Sequence, residues 1–296
     1  ASVDCNNRWV SLDPLRGSIA AVAESARNVS CVGALPVAIT NNLNFASPET
    51  EIGYWQLSTA CEGISIACEA LETPVTGGNV SLYNESIDDE GNKKPIQPTP
   101  VIGMVGVLDN VKQAVSSGWK NINDEIWIIG SRDSGLTLGA TSYLEYFHGQ
   151  ITGRPPSLNL IDEKLCQLFI RNGILNNLII SSHDISDGGL AIALAEACIL
   201  SDKGASINLI ADKRIDSLLF SEGGSRIIFS ISHMKKNEWL KFVSEESKNF
   251  TDSIYITKIG TVLQDTLKIK ISDNIICDLK ISSLADKFNN GLSNNF

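Results

Sequence analysis

Directly after a break at Pro74, the chain contains the stretch Thr76-Gly77-Gly78-Asn79-Val80-Ser81-Leu82-Tyr83-Asn84-Glu85. Paired glycines allow positive φ angles and let a ligand approach bare backbone amides. The alternation of polar and apolar residues from Asn79 to Leu82 predicts a short strand with one polar and one apolar face. An amide and a hydroxyl on one face suit a nucleotide phosphate or a hydrated Mg²⁺. A plain Gly-Gly turn leading into an edge strand explains the same residues equally well, and neither the Walker nor the Rossmann fingerprint is present.

Size and charge limit the classes of protein to which the chain can belong. Its 296 residues suit two domains of roughly 120–150 residues each. A net charge of −10, with basic residues only in short pairs such as Lys93-Lys94, argues against a nucleic-acid partner. The longest apolar run, from Gly188 to Leu200, contains Glu196 and is too short to span a bilayer, so we expect no membrane association. The chain begins at Ala1 in a polar loop, and we expect it to be a segment of a longer protein.

The cysteines indicate a reducing compartment. There are seven of them, an odd number, and no C-x-x-C pair. Several lie in apolar or alanine-rich helical context, where a free cysteine behaves as a small buried hydrophobe. A disulfide framework is therefore the weaker interpretation, and we expect a cytoplasmic protein.

Helix and strand signals are mixed without regular alternation, which predicts an α+β architecture. Asp13-Pro14 is a good helix start, because Asp caps the helix and Pro takes its first position, and the helix is predicted over 16–31. Ser47-Pro48 begins a second helix, to about Leu71, by the same logic, whereas Trp9–Leu12 is predicted as a short strand. Further strands are predicted at 35–40, 101–108, 125–129, 178–181, 226–232, 254–259 and 267–271, and further helices at 159–172, 191–200 and 238–247.

A break at Ser116-Ser117-Gly118 predicts a domain boundary. On this basis residues 1–117 form an N-terminal domain with the nucleotide and metal contacts, and residues 118–265 form a C-terminal αβ domain. Residues 266–296 are predicted as a C-terminal strand followed by a flexible tail.

Two further Gly-Gly pairs stand beside polar side chains in the second half of the chain. The first, Gly188-Gly189, leads into a predicted helix with Asp187 as its N-cap, and the pair would offer free N–H groups at the positive end of that helix. The second is Gly223-Gly224, which follows Glu222. Together with residues 77–81, these loops predict a phosphate-lined cleft between the two domains, and unspecialised turns are the rival interpretation.

His183, Asp184 and Asp187 are also candidates for a metal or acid–base cluster. The structural alternative is stronger, since Asp and His are common at loop-to-helix junctions and no second His lies nearby in the sequence. No Ser has a G-x-S-x-G context and no Cys has an evident base partner, so nucleophilic catalysis has no support.

Several of these segments together resemble a known family. They are Asp13-Pro14 with its Ala-rich helix, Ala38–Phe45, Thr76–Glu85, Pro98–Gly103 and His183–Leu190. They resemble the C-terminal half of the phosphoribosylformylglycinamidine synthase family, over nearly the whole chain from about Asp4 to Gly260. That family belongs to the superfamily of aminoimidazole ribonucleotide synthetase. The resemblance implies a two-domain unit, in which the sheet of an N-terminal α/β domain pairs with a sister domain and a C-terminal αβ sandwich domain packs beside it.

The resemblance implies an ATP-dependent carbon–nitrogen ligase of purine biosynthesis. In that reaction the formamide oxygen of formylglycinamide ribonucleotide is phosphorylated, and ammonia from a glutaminase displaces phosphate to give the amidine. Phosphoryl transfer depends mainly on positioning, Mg²⁺ and electrostatics, which amide-rich and Gly-rich loops can supply. ATP and Mg²⁺ are the implied cofactors.

The resemblance also implies roles for individual residues. Asn41 and Gly78 are expected to contact ATP, Asn79 to bind Mg²⁺ and Ser81 to contact the substrate, with Gly77 as a secondary candidate. Asn41 stands where the family often has an Asp, so this contact would keep a hydrogen bond but lose the charge. The family's catalytic His, and most of its Mg²⁺-binding acids, belong to the other half. We therefore expect no catalytic residue in this chain, and no activity from the chain alone.

The implied partners are the N-terminal half of the synthetase, a glutaminase subunit and a small accessory subunit, or a fused glutaminase domain. Two alternatives stay open. One is another enzyme of the superfamily, such as aminoimidazole ribonucleotide synthetase or selenophosphate synthetase, although only Cys5 could serve as the reactive cysteine of the latter. The other is a structural half that holds a nucleotide without turning it over.

Overall fold

The computed structural model describes residues 1–132, 136–210, 214–291 and 293, and it contains two main sheets. The first part of the chain forms β1 (Ser2–Asp4), α1 (Asn7–Leu12), α2 (Pro14–Cys31), β2 (Leu35–Asn44), α3 (Glu51–Leu71), β3 (Val75–Ser81), β4 (Glu85–Ile87), β5 (Lys93–Pro95) and β6 (Thr99–Val107). The second part forms β7 (Glu125–Ser131), α4 (Ser142–His148), α5 (Leu160–Leu175), β8 (Ile179–Asp184), α6 (Gly189–Ser201), β9 (Gly204–Leu209), α7 (Ile215–Phe220), β10 (Ile227–Ile231), α8 (Lys236–Glu246), β11 (Ile254–Leu263), β12 (Thr266–Ile271), β13 (Asn274–Lys280) and α9 (Ile281–Asn290).

The first sheet has four strands in the order β1-β6-β2-β3. β2 pairs in parallel with β3 and antiparallel with β6, so β3 is an edge strand. α2 and α3 cover one face, where Ile39, Ile102 and Met104 are buried in a core with both helices. The other face is open, since Val105 and Val107 of β6 are 49% and 53% exposed. This open face and the free edge of β3 leave two surfaces of the sheet accessible.

The two main helices of this part begin at capping residues. α2 begins where the sequence predicts it, because Pro14 takes the first turn and the Asp13 side chain accepts a hydrogen bond from the Arg16 backbone N at 3.1 Å. α3 begins at Glu51, three residues after Pro48, because Thr50 caps it by accepting a hydrogen bond from Gly53 N at 3.1 Å.

The second sheet has seven strands in the order β13-β12-β9-β11-β7-β10-β8. Helices cover both of its faces, and each face has its own apolar core. One core contains Leu194 of α6 and Ile281 of α9, and the other contains Phe169 of α5 and Trp239 of α8. The strands β7 and β10 are buried along their whole length, as expected for strands at the centre of a covered sheet.

α2 connects the two parts of the molecule. Its Arg27 donates from Nη1 to Glu163 Oε1 of α5 at 2.9 Å, and both side chains are buried. At its C-terminal end, Cys31 belongs to the core that also contains Phe169. Trp9 of α1 adds a third link, because its Nε1 donates to Ala140 O at 3.1 Å. The first sheet is thus joined to the second by buried contacts.

Two predictions about elements are wrong. Trp9–Leu12 lies in helix α1, capped by the Asn6 side chain, which accepts from Trp9 N at 3.1 Å. The segment 266–296 contains two strands of the larger sheet and helix α9, whereas a single strand and a flexible tail were expected. The other predicted helices and strands are confirmed with shifted ends; β2, for example, continues to Asn44.

Candidate functional site

β3 carries the first Gly-Gly pair along an open edge of the sheet. The register of the parallel pairing places Asn41 opposite Gly78 and Asn42 opposite Asn79. The carbonyl oxygen of Ser81 accepts a hydrogen bond from Phe45 N at 3.0 Å, so the peptide groups of Ser81 face β2. Since successive residues of a strand turn their peptide groups to opposite sides, the N–H and C=O of Gly78 face the free edge.

The four predicted contact residues are divided between the two faces of the sheet. Asn41 lies on the face covered by α3. A methyl group added at position 78, opposite Asn41, would point to the same face and would overlap the Asn41 side-chain oxygen. Asn79 lies on the open face and donates from Nδ2 to Asn42 Oδ1 at 3.1 Å, and alternation places Ser81 on the same face. A single ligand therefore reaches all four residues only by crossing the free edge of β3.

Asn41 lines a groove of about 480 Å³ between α3 and β3. The wall of the groove is apolar, with Ile64 of α3 facing Val75 of β3, and two carboxylates, Glu69 and Glu72, stand at its rim. The Asn41 side chain makes no hydrogen bond to any residue that the structure describes, so its amide is available to a ligand.

The open face offers oxygen ligands but no complete metal site. Asn79 uses Nδ2 for its bond to Asn42, which leaves Oδ1 available, and Ser81 Oγ lies 3.2 Å from Asn84 Oδ1. Over the described ranges, no group of three His, Cys, Asp or Glu side chains is arranged to hold a metal ion. Mg²⁺ in nucleotide sites takes one or two protein ligands and completes its shell with phosphate oxygens and water. Asn79 fits as one such ligand, and the remaining ligands must come from other groups.

The other two Gly-Gly loops lie together, but the amides of Gly188 and Gly189 are already used in hydrogen bonds. Glu222 is buried, and its Oε1 accepts from Gly188 N at 2.8 Å and from Ser142 N at 2.7 Å. Gly189 N donates to Ser186 O at 3.0 Å. The prediction that Gly188 and Gly189 offer free N–H groups is therefore wrong, because a buried carboxylate takes the place that a phosphate would occupy. Burial raises the pKa of Glu222, and the nearby charge of Asp187 acts in the same direction.

Asp187 does not cap the helix. Gly188, at a φ of +78°, is the N-cap of α6 and makes no side-chain hydrogen bond, whereas Asp187 Oδ1 accepts from Arg8 at 3.0 Å. Gly223 lies where a Cβ would come within 2.5 Å of the Trp9 ring, and Gly224 follows it with a φ of +78°. These glycines allow positive φ angles in turns and close packing against Trp9. No hydrogen bond or ion pair among the described residues joins them to 77–81, so a single cleft lined by all three loops is not observed.

His183 and Asp184 belong to a separate cavity of about 310 Å³. Its polar lining is Asp4, Glu24, Asn28, His183, Asp184, Ser186 and Glu196. His183 lies between two carboxylates, with Nδ1 3.3 Å from Asp184 Oδ1 and Nε2 3.3 Å from Glu196 Oε2. Burial alone would lower the pKa of His183, but these two contacts outweigh it and raise the pKa to about 9. The other oxygen, Asp184 Oδ2, makes no hydrogen bond in the described structure, but it forms a buried ion pair with Arg27, whose Nε lies 4.0 Å away.

Several residues around His183 and Asp187 belong to no motif that the sequence analysis identified. Glu24 and Asn28 lie four residues apart, on one face of α2, and this spacing of two polar residues is the signal that could have identified them. Arg8 carries no comparable signal, because its partners Glu145 and Asp187 are more than 100 residues away along the chain. Asp4 accepts a local hydrogen bond from Ser2 at 2.8 Å, but its other partner, Asn28, is 24 residues away. Burial raises the pKa of both Asp4 and Glu24.

Both halves of the chain match models of one protein family. The N-terminal domain of the AIR synthase related proteins matches residues 1–108, and the C-terminal domain of the same proteins matches residues 121–263. The chain belongs to this family. The α+β two-domain fold expected from the sequence is thereby confirmed. Within the described residues, no helix combines the length and apolar character needed to cross a membrane.

Several curated relatives of the chain carry the same name, phosphoribosylformylglycinamidine synthase subunit PurL. The protein from Prochlorococcus marinus strain AS9601 is 68% identical over 297 aligned residues, which cover 100% of this chain and 38% of the relative. The protein from strain MIT 9313 is 48% identical over 97% of this chain and 37% of its own length. The chain thus spans less than half the length of the relatives that it matches.

Solved structures show the same fold at low sequence identity. T. maritima PurL complexed with FGAR superposes with a TM-score of 0.73 at 18% identity, over 96% of this chain and 45% of that one. A HypE–HypF complex superposes with a TM-score of 0.63 at 16% identity, over 94% of this chain and 89% of that one. At such identities the likeness concerns the fold alone.

Proposed function

We propose that the chain is the C-terminal part of a phosphoribosylformylglycinamidine synthase, the ligase that converts formylglycinamide ribonucleotide into its amidine with ATP and ammonia. The observation that carries this proposal is the 68% identity to a protein of that name over the full length of the chain. The glutamine-derived ammonia, Mg²⁺ and the cytoplasmic location are parts of the same proposal.

Within that enzyme, we assign the nucleotide contacts to the edge strand β3 and its neighbour. The free amide of Asn41, the exposed peptide group of Gly78 and the side-chain oxygen of Asn79 surround the free edge. ATP would lie across this edge, with Asn79 as one ligand of its Mg²⁺ and Ser81 towards the second substrate. Bound Mg²⁺ would neutralise phosphate charge during transfer, and the residues of this chain would hold the nucleotide in position.

The proton-transfer residue and the acidic Mg²⁺ ligands are expected from the N-terminal part of the enzyme, because the open face around Asn79 and Ser81 lacks a complete ligand set among the described residues. That part is the first partner. A glutaminase subunit and a small accessory subunit are the others, and the solved assembly named PurLQS from Thermotoga maritima, whose PurL has the fold of this chain, supports the proposal. The domain division at 117/118 is likewise proposed.

A reconstitution experiment tests this function. The 296 residues alone should release no ADP from ATP in the presence of formylglycinamide ribonucleotide and ammonia. Adding the N-terminal part, produced separately, should restore formation of the amidine, and Asn79→Ala in this chain should lower the restored rate. Turnover by the chain alone would contradict the proposed division of the active site, and a mixture that stays inactive would contradict the proposed reaction.

A further inference from the structure

We propose that Asn42 is a positioning residue for the metal ligand Asn79, and that it holds the Asn79 amide with its oxygen, rather than its nitrogen, towards the bound Mg²⁺. This inference rests on the proposed function, which assigns Asn79 to the metal, and it adds a residue that itself touches neither metal nor nucleotide. The alternative is an ordinary cross-strand pair that stabilises the sheet and has no influence on the metal.

The need for such a residue follows from the chemistry of an amide ligand. An Asn side chain carries an acceptor oxygen at one end and an NH₂ group with two donors at the other. Only the oxygen can bind Mg²⁺. The terminal torsion of Asn is broad and roughly twofold, so a side chain without a partner exchanges its two ends at little cost. A carboxylate ligand, with oxygens at both ends, does not have this difficulty.

The contact between Asn79 and Asn42 distinguishes the two ends of the amide. The register of β2 and β3 places these residues opposite each other, and both are exposed on the open face. Asn79 Nδ2 donates to Asn42 Oδ1 at 3.1 Å, so the end that cannot bind a metal is the one that the protein uses. Asn79 Oδ1 makes no hydrogen bond to any residue that the structure describes. The oxygen therefore lies at the end of the amide that points away from Asn42.

Asn42 is suited to this task because it lies on a central strand. β2 pairs with β3 on one side and with β6 on the other, where Asn42 is opposite Val101. Its carbonyl oxygen also accepts from Asn44 Nδ2 at 3.2 Å. Asn79 lies on the edge strand β3, which has a single neighbour. The hydrogen bond thus ties a ligand at the edge of the sheet to a residue in its interior, and outer partners of this kind orient metal ligands in proteins.

The neighbouring amides of this face are engaged elsewhere. Asn44 lies opposite Ser81, two residues along the strand, and its Nδ2 bonds to backbone oxygens. Asn84 donates to Ser81 O at 2.8 Å. Within the described part of the chain, Asn42 is thus the one side chain that bonds to the Asn79 amide.

Nucleotide affinity with and without metal tests the inference. Calorimetric titrations of the full-length enzyme would use MgATP, and ATP with EDTA, and the ratio of the two affinities gives the metal-dependent part of binding. We expect Asn42→Leu to lower the affinity for MgATP about tenfold, the lower end of the range for partners of metal ligands, and to leave the affinity for metal-free ATP unchanged. An unchanged MgATP affinity, or an equal loss in both titrations, would overturn the inference.

A double variant separates positioning from stabilisation of the sheet. Asn79→Ala removes the ligand, so Asn42→Leu should cause no further loss of MgATP affinity in that background. Losses that add would show that Asn42 acts independently of Asn79, and they would contradict the inference.

Asn42→Asp provides a conservative rescue. A carboxylate only accepts hydrogen bonds, so it should hold Asn79 Nδ2 and leave the oxygen towards the metal. Its added charge is controlled by Asn44→Asp, on the same face two residues along the strand. We expect Asn42→Asp to bind MgATP at least as tightly as Asn44→Asp. A loss as large as that in Asn42→Leu would show that an acceptor at position 42 is not what matters, and the inference would be wrong.

Failure of the proposed function would look different. If Asn79→Ala left the metal-dependent part of binding unchanged, Asn79 would not be a metal ligand, and both proposals would fall. If Asn79→Ala removed that part while Asn42→Leu did not lower it, the assignment of Asn79 would stand and only the role of Asn42 would be wrong.

Discussion

Gly78 lies between the groove and the free edge of β3. A side chain at this position would clash with one neighbouring residue, Asn41. A methyl group there would overlap Asn41 Oδ1 and come 2.8 Å from Asn41 O. The adjacent Gly77 has nothing within 4 Å of the position that a Cβ would take. The two glycines are therefore a matched pair, in which only the second is restricted by packing.

We predict that Gly78→Ala weakens MgATP binding about tenfold or more, because the Asn41 amide must leave its position. The free energy of unfolding should also fall, by about 1–3 kcal/mol, because the added methyl group comes 2.8 Å from Asn41 O, a backbone atom that moves only with its strand. Gly77→Ala should change neither quantity appreciably. Isothermal titration and urea denaturation of both variants measure these effects, and equal loss of binding in the two variants would argue against the role given to Gly78.

His183 is predicted to make stability depend on pH in the alkaline range. Its pKa is raised to about 9 in the folded chain, against about 6.5 when unfolded, by hydrogen bonds to Asp184 and Glu196 that outweigh its burial. The folded state therefore binds the proton more tightly. This contribution, on the order of 3 kcal/mol, is fully present below pH 6.5 and is lost as the pH rises through about 9.

Urea denaturation of wild type and His183→Gln at pH 6 and pH 10 measures this dependence. Between pH 6 and pH 10, the free energy of unfolding should fall further in the wild type than in the variant. The difference should equal the energy that corresponds to the raised pKa of His183. Parallel losses in both proteins would mean that His183 is not held as an imidazolium between the carboxylates.

At the scale of elements, α2 shows what holds the two sheets together. It packs on the first sheet through Val22 and Ala26, and its Arg27 reaches across to Glu163 of α5. We predict that Arg27→Met costs about 3–5 kcal/mol of unfolding free energy, because the buried carboxylates of Glu163 and Asp184 both lose a cationic partner. The double variant with Glu163→Gln should recover part of this loss. A double-mutant cycle measures the coupling, and additive effects would contradict it.

Local signals account for the elements that the sequence predicts well. The start of α2 follows from the Asp13 cap and Pro14, which act within one turn. Trp9–Leu12 was assigned to the wrong class because a short apolar run fits a strand or a helix equally well, and the buried bond from Trp9 to Ala140 is a long-range contact. β13 was missed because its pairing with β12 decides the structure. α9 carried a local signal that was not used, since Ile281, Leu284 and Phe288 recur at helical spacing.

The same distinction applies to the candidate site. Asn41 and Gly78 lie on one face of the sheet, and Asn79 and Ser81 lie on the other. This arrangement follows from the two-residue period of a strand, and it is predictable once β3 is recognised. The capture of the Gly188 amide by Glu222 is not predictable, because the two residues are 34 positions apart and nothing local indicates the pairing.

At the scale of the whole molecule, the contacts between the two parts predict a single cooperative unfolding transition. Cys31 of α2 lies in the core of the second sheet, and Glu222 and Asp187 both contact Arg8 of α1. Neither part can unfold without exposing apolar surface of the other. Calorimetry of the 296-residue chain should give one peak whose van't Hoff and calorimetric enthalpies agree. Two resolved peaks would show that the parts are energetically independent.

The central claim is that a nucleotide lies across the free edge of β3, and calorimetric titration of MgATP into the chain, beside Asn79→Ala, tests it most directly. We predict saturable binding by the wild type and a loss of about tenfold or more in the variant, because Asn79 provides an oxygen for the metal. Equal binding by the two proteins would place the nucleotide elsewhere and contradict the account. No binding by either protein would contradict the claim that this edge holds the nucleotide unaided.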